Sequence, residues 1–491
     1  MFETKPHSNF STVAGLTILA LLLRLYHLNA PLWYDEIATL VQSLRVPLVD
    51  IVSSFPSDND HPLYSLLAKI SILVFGESNW AFRLPAALFG AASVPALYWL
   101  GCKYAPRHEA LAASLLLAVM YHSVWFSQNA RGYTIMLFLT LVGVGMLQNA
   151  LNEHRLTAQR MGVYVLCIAL AAYTHMTMVL VAVSHAIVLL GYYLFSKSSN
   201  KKAADLALPV FGFLLAALVT LAMYYPMSAD VLEFFVEDDS AGVSAGNAAT
   251  SATPRIWAAI AAANELSRAY GGWIPVAVAG VVFLVGIFSY VHQTPWFTAM
   301  FVLSIPIFVL VTTILERPTR PRFFFFMAGF LLLVAVRGVA IISNTLLEKF
   351  DRPQASRPLF WVLILAISAG SLGAIWQVSD IPKQDYQFAE QTIDELRNGA
   401  PVFLISKTSE LPFNRYLGNE WDKIETDLDF LAIQTNNDEF VLVYTFQRYV
   451  EFGRRAIWAL ILKSCIEKKA IPATVADGEI HVLICRGNPD E

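Results

Sequence analysis

The feature that most constrains this chain is the recurrence of apolar stretches about as long as a bilayer is thick. A membrane-crossing helix needs about 20 mostly apolar residues. Such stretches fall at about 11–28, 82–103, 109–126, 133–150, 161–175, 178–195, 206–225, 273–290, 296–315, 323–341 and 359–377, eleven in all. A chain with that pattern has to fold as a bundle of helices in lipid, because only helices and closed barrels satisfy their own backbone there. Segment 62–75 is also apolar, but it is short and starts at Pro62. A run that short is more often interfacial or re-entrant than spanning.

Charge divides the sequence further. Residues 1–379 hold 41 charged side chains, about 11%, whereas residues 380–491 hold 31 in 112, about 28%. The first figure suits a membrane-embedded part and the second a small soluble domain. The expected boundary lies near Asp380, giving a transmembrane domain over 1–379 and a soluble domain over 380–491. With 56% apolar residues and a net charge of −4, an ordinary soluble enzyme, a disordered chain and a nucleic-acid binder are excluded.

Loop charge sets the expected orientation. The loops carrying Lys103 and Arg107, Arg155 and Arg160, Lys197, Lys201 and Lys202, and Lys349, Arg352 and Arg357 all fall inside if the N-terminus is cytoplasmic and eleven spans follow. The acidic loops 35–60 and 230–239 then fall outside, as does the soluble domain. Arg317, Arg320 and Arg322 also fall outside and run against the trend. Segment 11–28 reads as a retained helix, since a small-residue cleavage site is missing.

In the soluble part, Gln384–Asn398 and Val450–Glu467 have helical periodicity. Pro401–Lys407, Phe440–Tyr444 and Ile480–Cys485 read as strands, so a small α/β domain is expected. Cys465 and Cys485 would face the oxidising side, where they could form a disulfide or remain two buried thiols. Cys102 and Cys167 read as packing residues.

Charged and polar groups at membrane depth are expensive and tend to be functional. Five clusters stand out: Arg24 to Glu36, with Trp33-Tyr34-Asp35-Glu36; Asn59-Asp60-His61-Pro62-Leu63-Tyr64; Trp125 to Tyr133, with Gln128 and Arg131; Tyr173-Thr174-His175; and Glu316 to Phe323, with Arg320 and Arg322. On the eleven-span layout all five lie on the external face. Snorkelling residues would scatter over both faces. Arginine suits a phosphate, apolar helices below it suit a lipid tail, and a carboxylate beside it suits a general base. Each residue also has a plainer explanation. Asp35 and Glu36 could simply cap a helix over Ile37–Leu44. Arg83 could be a snorkelling anchor, His175 a satisfied core histidine, Arg322 a helix flank and His61 a turn residue.

Taken in order, Arg24–Glu36, His61-Pro62-Leu63-Tyr64, Phe82-Arg83-Leu84-Pro85, Gln128–Tyr133, Thr174-His175 and Pro321-Arg322-Phe323 resemble the GT-C membrane glycosyltransferases. The similar branch holds protein O-mannosyltransferases, lipid A aminoarabinose transferases and RgtA/B/C/D-like proteins, and the likeness spans roughly residues 10–340. It implies a GT-C fold of about 11 transmembrane helices, interfacial helices in the first external loop and a small C-terminal α/β domain. It also implies a polyprenyl-phosphate-linked sugar donor, inversion at the anomeric carbon, and a glycan, lipid or protein acceptor at the outer face of the plasma (bacterial inner) membrane.

By this resemblance Asp35 is the catalytic carboxylate, with Glu36 helping to position it. His61, Arg131, Arg322 and Arg320 are the candidate phosphate contacts, and Tyr34, Tyr64, Tyr133 and His175 are candidate substrate contacts. No nucleic acid and no cofactor are expected. Asp35, Glu36 and His61 could hold a divalent cation, but a metal-free mechanism is the expectation. The loop 227–256, rich in Ala, Gly and Ser over Ser240–Thr253, could close over a substrate or serve as a linker. A lipid-linked-sugar flippase would instead need inverted repeats and midplane charges, and an assembly protein would leave the one-sided clusters unexplained.

Overall fold

The computed structural model describes residues 9–56, 60–153, 156–195, 204–236, 272–315 and 320–487. Asn59, Arg155, the basic loop 197–202, the acidic residues 237–239, Ser240–Thr253 and Glu316–Thr319 lie outside the described residues.

Every one of the eleven apolar stretches is helical. The helices are Phe10–Leu25, Asn79–Tyr104, Arg107–Val119 with Tyr121–Ser127, Tyr133–Glu153, Ala158–Thr174, Met178–Phe195, Ala204–Tyr224, Trp273–Gln293, Pro295–Val302 with Ser304–Ile314, Ala328–Lys349, and Ser356–Ser379. Among the described residues, seven helices are long and apolar enough to cross a membrane, or eight if the bent pair Arg107–Val119 and Tyr121–Ser127 is one span. Phe10–Leu25, Tyr133–Gln148 and Ala158–Thr174 are apolar but shorter, as is Pro62–Phe75. The chain is a multi-pass membrane protein, and length and composition fix fewer spans than the eleven expected.

The chain forms two compact units, and each is described by itself. Within the described residues the first comprises parts of 9–28, 61–228 and 272–375, and the second 29–60, 229–236 and 376–487.

In the first unit a buried arginine organises the helices. Helix Arg107–Val119 breaks at Met120 (φ −63, ψ 131), and the chain bends by 56° into Tyr121–Ser127. A break in lipid frees backbone carbonyls that must find donors. Arg24 supplies them. Its Nη1 donates to the carbonyls of Ala20 (2.9 Å) and Ala118 (3.0 Å), and its Nη2 donates to Leu117 O (3.1 Å) and Ser123 Oγ (2.8 Å). Its Nε donates to Ser127 Oγ (3.0 Å). All five guanidinium N–H groups are used. The amide of Gln128 donates in turn to Tyr26 O (2.5 Å), just past the end of Phe10–Leu25, and to Leu23 O (3.2 Å) in its last turn. Gly90 permits this, since a Cβ there would stand 2.1 Å from Ser127 Oγ and 2.9 Å from Arg24 Nε.

A second set of bonds ties Pro62–Phe75 to the start of Asn79–Tyr104. Tyr64 Oη donates to Phe82 O (2.5 Å), and Ser71 Oγ donates to Ala81 O (2.6 Å). Arg83 is not the snorkelling anchor that its place before a span suggested. It is buried, and its Nη1 caps Leu28 O at 2.9 Å. That carbonyl lies 55 residues away in sequence, beyond the reach of local pattern.

The second unit holds a five-stranded sheet: β1 Val402–Ile405, β2 Asp422–Ile424, β3 Glu439–Thr445, β4 Cys465–Ile471 and β5 Ile480–Arg486. The order is β2-β1-β3-β5-β4. β1 runs parallel to β2 and β3, while β5 runs antiparallel to β3 and β4. Central strands β1 and β3 are buried almost throughout, as a strand covered on both faces must be. The core joins Phe403, Phe430, Phe440, Leu442, Ile457 and Leu483.

One expectation needs correction here. The helix expected over Val450–Glu467 is two helices, Gln447–Gly453 and Arg455–Ser464, and its last residues belong to β4. β4 is an exposed edge strand with a bulge between Glu467 and Lys469. Its charges blunt the edge against pairing with another chain, and they are also what made it read as helix surface. Cys465 and Cys485, register partners across β4 and β5, are disulfide-bonded. Cys102 and Cys167 are free thiols.

Candidate functional site

In the first unit, four of the five polar clusters come together. His61 is the N-cap of Pro62–Phe75, where the following proline favours an extended residue before it and a helix start after it. The tie to Asn79–Tyr104 holds that helix start in place. His61 is buried, with 1% exposure. Its ring lies 5.0 Å from that of His175 and 5.1 Å from that of Tyr133. The His175 ring lies 4.9 Å from Phe323. Gly132 lets these elements close up, because a Cβ there would stand 2.2 Å from Thr174 Cγ2 and 3.1 Å from His61 Nδ1. Thus residues 61, 131–133, 174–175 and 322–323, distant in sequence, share one neighbourhood.

Arg131 and Arg322 bring positive charge to both imidazoles of that neighbourhood. Burial pushes the His61 imidazole well below the ordinary histidine range, and Arg131, His175 and Arg322 push it in the same direction. Burial, then Arg131 and Arg322, brings His175 down to about 3. Both rings are therefore neutral at pH 7. His175 is satisfied through Nδ1, which accepts from Thr177 N–H (3.3 Å) and lies 2.8 Å from the Thr177 hydroxyl. His61 differs. Neither of its ring nitrogens makes a hydrogen bond; the Thr174 backbone is near enough to favour the charged form but lacks hydrogen-bond geometry. The Tyr133 hydroxyl, also buried, has no partner either. Buried polar atoms are almost always paired in folded chains, and arginines next to unpaired polar groups are a combination chemically suited to an oxyanion.

The remaining predicted residues lie elsewhere. Tyr64 belongs to the same helix as His61, but its hydroxyl is taken by Phe82 O. Arg320 is exposed, at the N-cap of the short 3₁₀ helix Pro321–Met327 that carries Arg322.

Tyr34, Asp35 and Glu36 belong to the second unit. They open helix Tyr34–Thr39, which runs on as a π-helical turn over Leu40–Leu44. Glu36 fulfils the plainer of its two expectations: fully buried, it accepts a hydrogen bond from Trp33 N–H (3.3 Å) and so caps its own helix. Asp35 is buried in the first turn, with 9% exposure. Further along the same loop, Asp60 Oδ1 accepts from Ser43 Oγ (3.3 Å). Sequence reasoning passed over Gln384, Tyr386 and Thr445, which meet this turn and carry no motif or charge to mark them. Among the described residues no three of His, Cys, Asp or Glu converge as metal ligands would.

Comparison with known proteins follows the same lines. Residues 59–228 match the family described as dolichyl-phosphate-mannose-protein mannosyltransferase. No curated protein matches in sequence. Among solved structures, ArnT from Cupriavidus metallidurans bound to undecaprenyl phosphate is 12% identical, with 97% of this chain and 98% of that one covered and a TM-score of 0.55. The same protein in the apo state gives 12% identity, 96% and 98% coverage and the same TM-score. The oligosaccharyltransferase AglB from Archaeoglobus fulgidus, in complex with an inhibitory peptide and a dolichol-phosphate, is 12% identical, covers 94% of this chain and 73% of its own, and has a TM-score of 0.55. The chain thus has the GT-C fold and resembles O-mannosyltransferases and ArnT.

Proposed function

We propose that this chain is an inverting glycosyltransferase that moves a sugar from a polyprenyl-phosphate-linked donor to a hydroxyl or amine of a glycan, lipid or protein at the external face of the membrane. The observation that carries the reading is the convergence of Arg131, Arg322 and His175 on a buried His61 whose nitrogens lack partners. A phosphodiester oxygen supplies what His61 lacks and what the two guanidinium groups attract. Undecaprenyl phosphate in ArnT and dolichol-phosphate in AglB are ligands of that class.

In the proposed reaction, Asp35 takes the proton from the acceptor hydroxyl as its oxygen attacks the anomeric carbon of the sugar. The bond from that carbon to the phosphate oxygen breaks with inversion, and polyprenyl phosphate leaves carrying the electron pair. The leaving phosphate gains a second negative charge. Arg131 and Arg322 stabilise that charge as it develops, with Arg320 as an added positive group. His61 donates a hydrogen bond to it, Tyr133 and His175 wall the sugar phosphate, and Glu36 and Tyr64 hold the elements in place. The disulfide between Cys465 and Cys485 supports an oxidising, external location for the C-terminal part, and with eleven spans the N-terminus is then cytoplasmic.

Purified Asp35→Asn, given a panel of undecaprenyl-phosphate-linked hexoses and aminopentoses with envelope glycan, lipid and peptide acceptors, should lose at least a hundredfold in transfer while still binding undecaprenyl phosphate. Normal transfer by that variant would remove Asp35 from the mechanism.

A further inference from the structure

The acidic turn is held by a residue far from it in sequence. Gln384, buried with 0% exposure, sits just ahead of helix Tyr386–Leu396. Its Oε1 accepts from the Tyr34 N–H at 3.0 Å. Its Nε2 donates to Thr445 Oγ1 at 3.0 Å and to the Gly478 carbonyl at 2.8 Å. The partners fix the orientation of the amide, since a backbone N–H can face only its oxygen and a carbonyl only its nitrogen. No other side chain of that length is both acceptor and double donor without charge.

The surroundings press on the same point. Phe446, directly after β3, has φ 57, in the left-handed region that an aromatic residue rarely adopts. That conformation places its ring edge-on to Tyr34, with centroids 5.6 Å apart. Strain of this kind persists where its neighbours over-determine it. Tyr386, fully buried, has its phenol pushed well above the ordinary range by burial, with Tyr34 and Asp35 adding to the shift. It therefore faces the turn as a neutral O–H group rather than a second anion.

We propose that Gln384 is a positioning residue for Asp35: by fixing the Tyr34 amide it sets the first turn of helix Tyr34–Thr39 and hence the direction of the carboxylate. The C-terminal part of the chain is then a component of the acidic centre and not an appended binding module. This rests on the reading of Asp35 as the catalytic base.

The test compares Gln384→Ala, Gln384→Glu and Asp35→Asn in the full-length protein, using the donor panel above. Gln384→Ala should lower kcat at least tenfold with unchanged KM for the donor and unchanged binding of undecaprenyl phosphate. Gln384→Glu carries an ionised carboxylate at pH 8, which cannot donate to Gly478 O. Protonated near pH 5.5, it regains one donor and one acceptor, so its kcat relative to wild type should rise as pH falls. Should Gln384→Ala not fold, the pH profile of Gln384→Glu decides alone. Wild-type kcat in the Gln384 variants, or a ratio flat in pH, would overturn the positioning role while loss of transfer in Asp35→Asn leaves the reaction itself standing. Retained transfer in Asp35→Asn would overturn both.

Discussion

Arg24 and His61 are both fully buried polar residues of the membrane unit, and they are treated oppositely. Arg24 has five donors and five acceptors from its own chain. His61 has two nitrogens and no hydrogen bond. The first is a structural rivet, needed because a helix breaks beside it. The second keeps two buried nitrogens without a hydrogen bond, which the proposed donor phosphate would supply. Burial alone does not separate the two, but satisfaction does.

The largest expected effect tests the first half of that contrast. Arg24→Met strands the carbonyls of Leu117 and Ala118 and two serine hydroxyls, and each stranded buried group costs about 1–3 kcal/mol. The total loss should be at least about 4 kcal/mol, read as a collapse of the melting temperature in detergent. His61→Ala should leave that temperature unchanged or raise it while weakening undecaprenyl phosphate binding. A melting loss for His61→Ala as large as that for Arg24→Met would erase the distinction.

A matched pair of glycines sharpens it at intermediate size. Gly90→Ala pushes a methyl into the Arg24–Ser127 contact, and Gly132→Ala pushes one between Thr174 and His61. Gly90→Ala should lower the melting point with little change in lipid-phosphate affinity. Gly132→Ala should lower that affinity about tenfold and stability less. Identical profiles for the two variants would contradict the assignment.

The smallest effect is in pH. His61 and His175 have lowered values in the folded chain and about 6.5 when unfolded. The unfolded chain therefore takes up more protons below 6.5, and stability falls as pH is lowered through that value. Each histidine should cost about 1 kcal/mol by pH 5.5. Saturating undecaprenyl phosphate should shrink that loss, because an anion beside His61 favours its charged form. Chemical denaturation at pH 7.5 and 5.5, with and without the lipid, checks this, and a loss untouched by the lipid would place the anion elsewhere.

Much of the membrane unit was legible in the sequence because lipid makes exceptions costly. His61, Arg131, His175 and Arg322 stood out as polar groups in apolar surroundings, and the structure gathers them. The roles of Arg83 and Arg24 were not legible, since their partners are carbonyls dozens of residues away that leave no trace in composition. The soluble part was harder for the opposite reason. In water a charged edge strand such as β4 and a helix surface look alike, and β2 is only three residues long. Gln384 was invisible because a neutral amide in a polar stretch costs nothing until its partners are known. Asp35 and Glu36 were found together, and only geometry separates the cap from the other carboxylate.

The bond from Tyr34 to Gln384 spans 350 residues, and that span sets a timetable for synthesis. At the usual 5–20 residues per second, the acidic turn waits about 20–70 s for the residue that holds it to be made. Throughout that interval the membrane helices can insert and the basic cluster can assemble, while Tyr34-Asp35-Glu36 lacks its clamp. The carboxylate is translated long before the residue that holds its turn, so a chain released early would carry an acidic turn still unset.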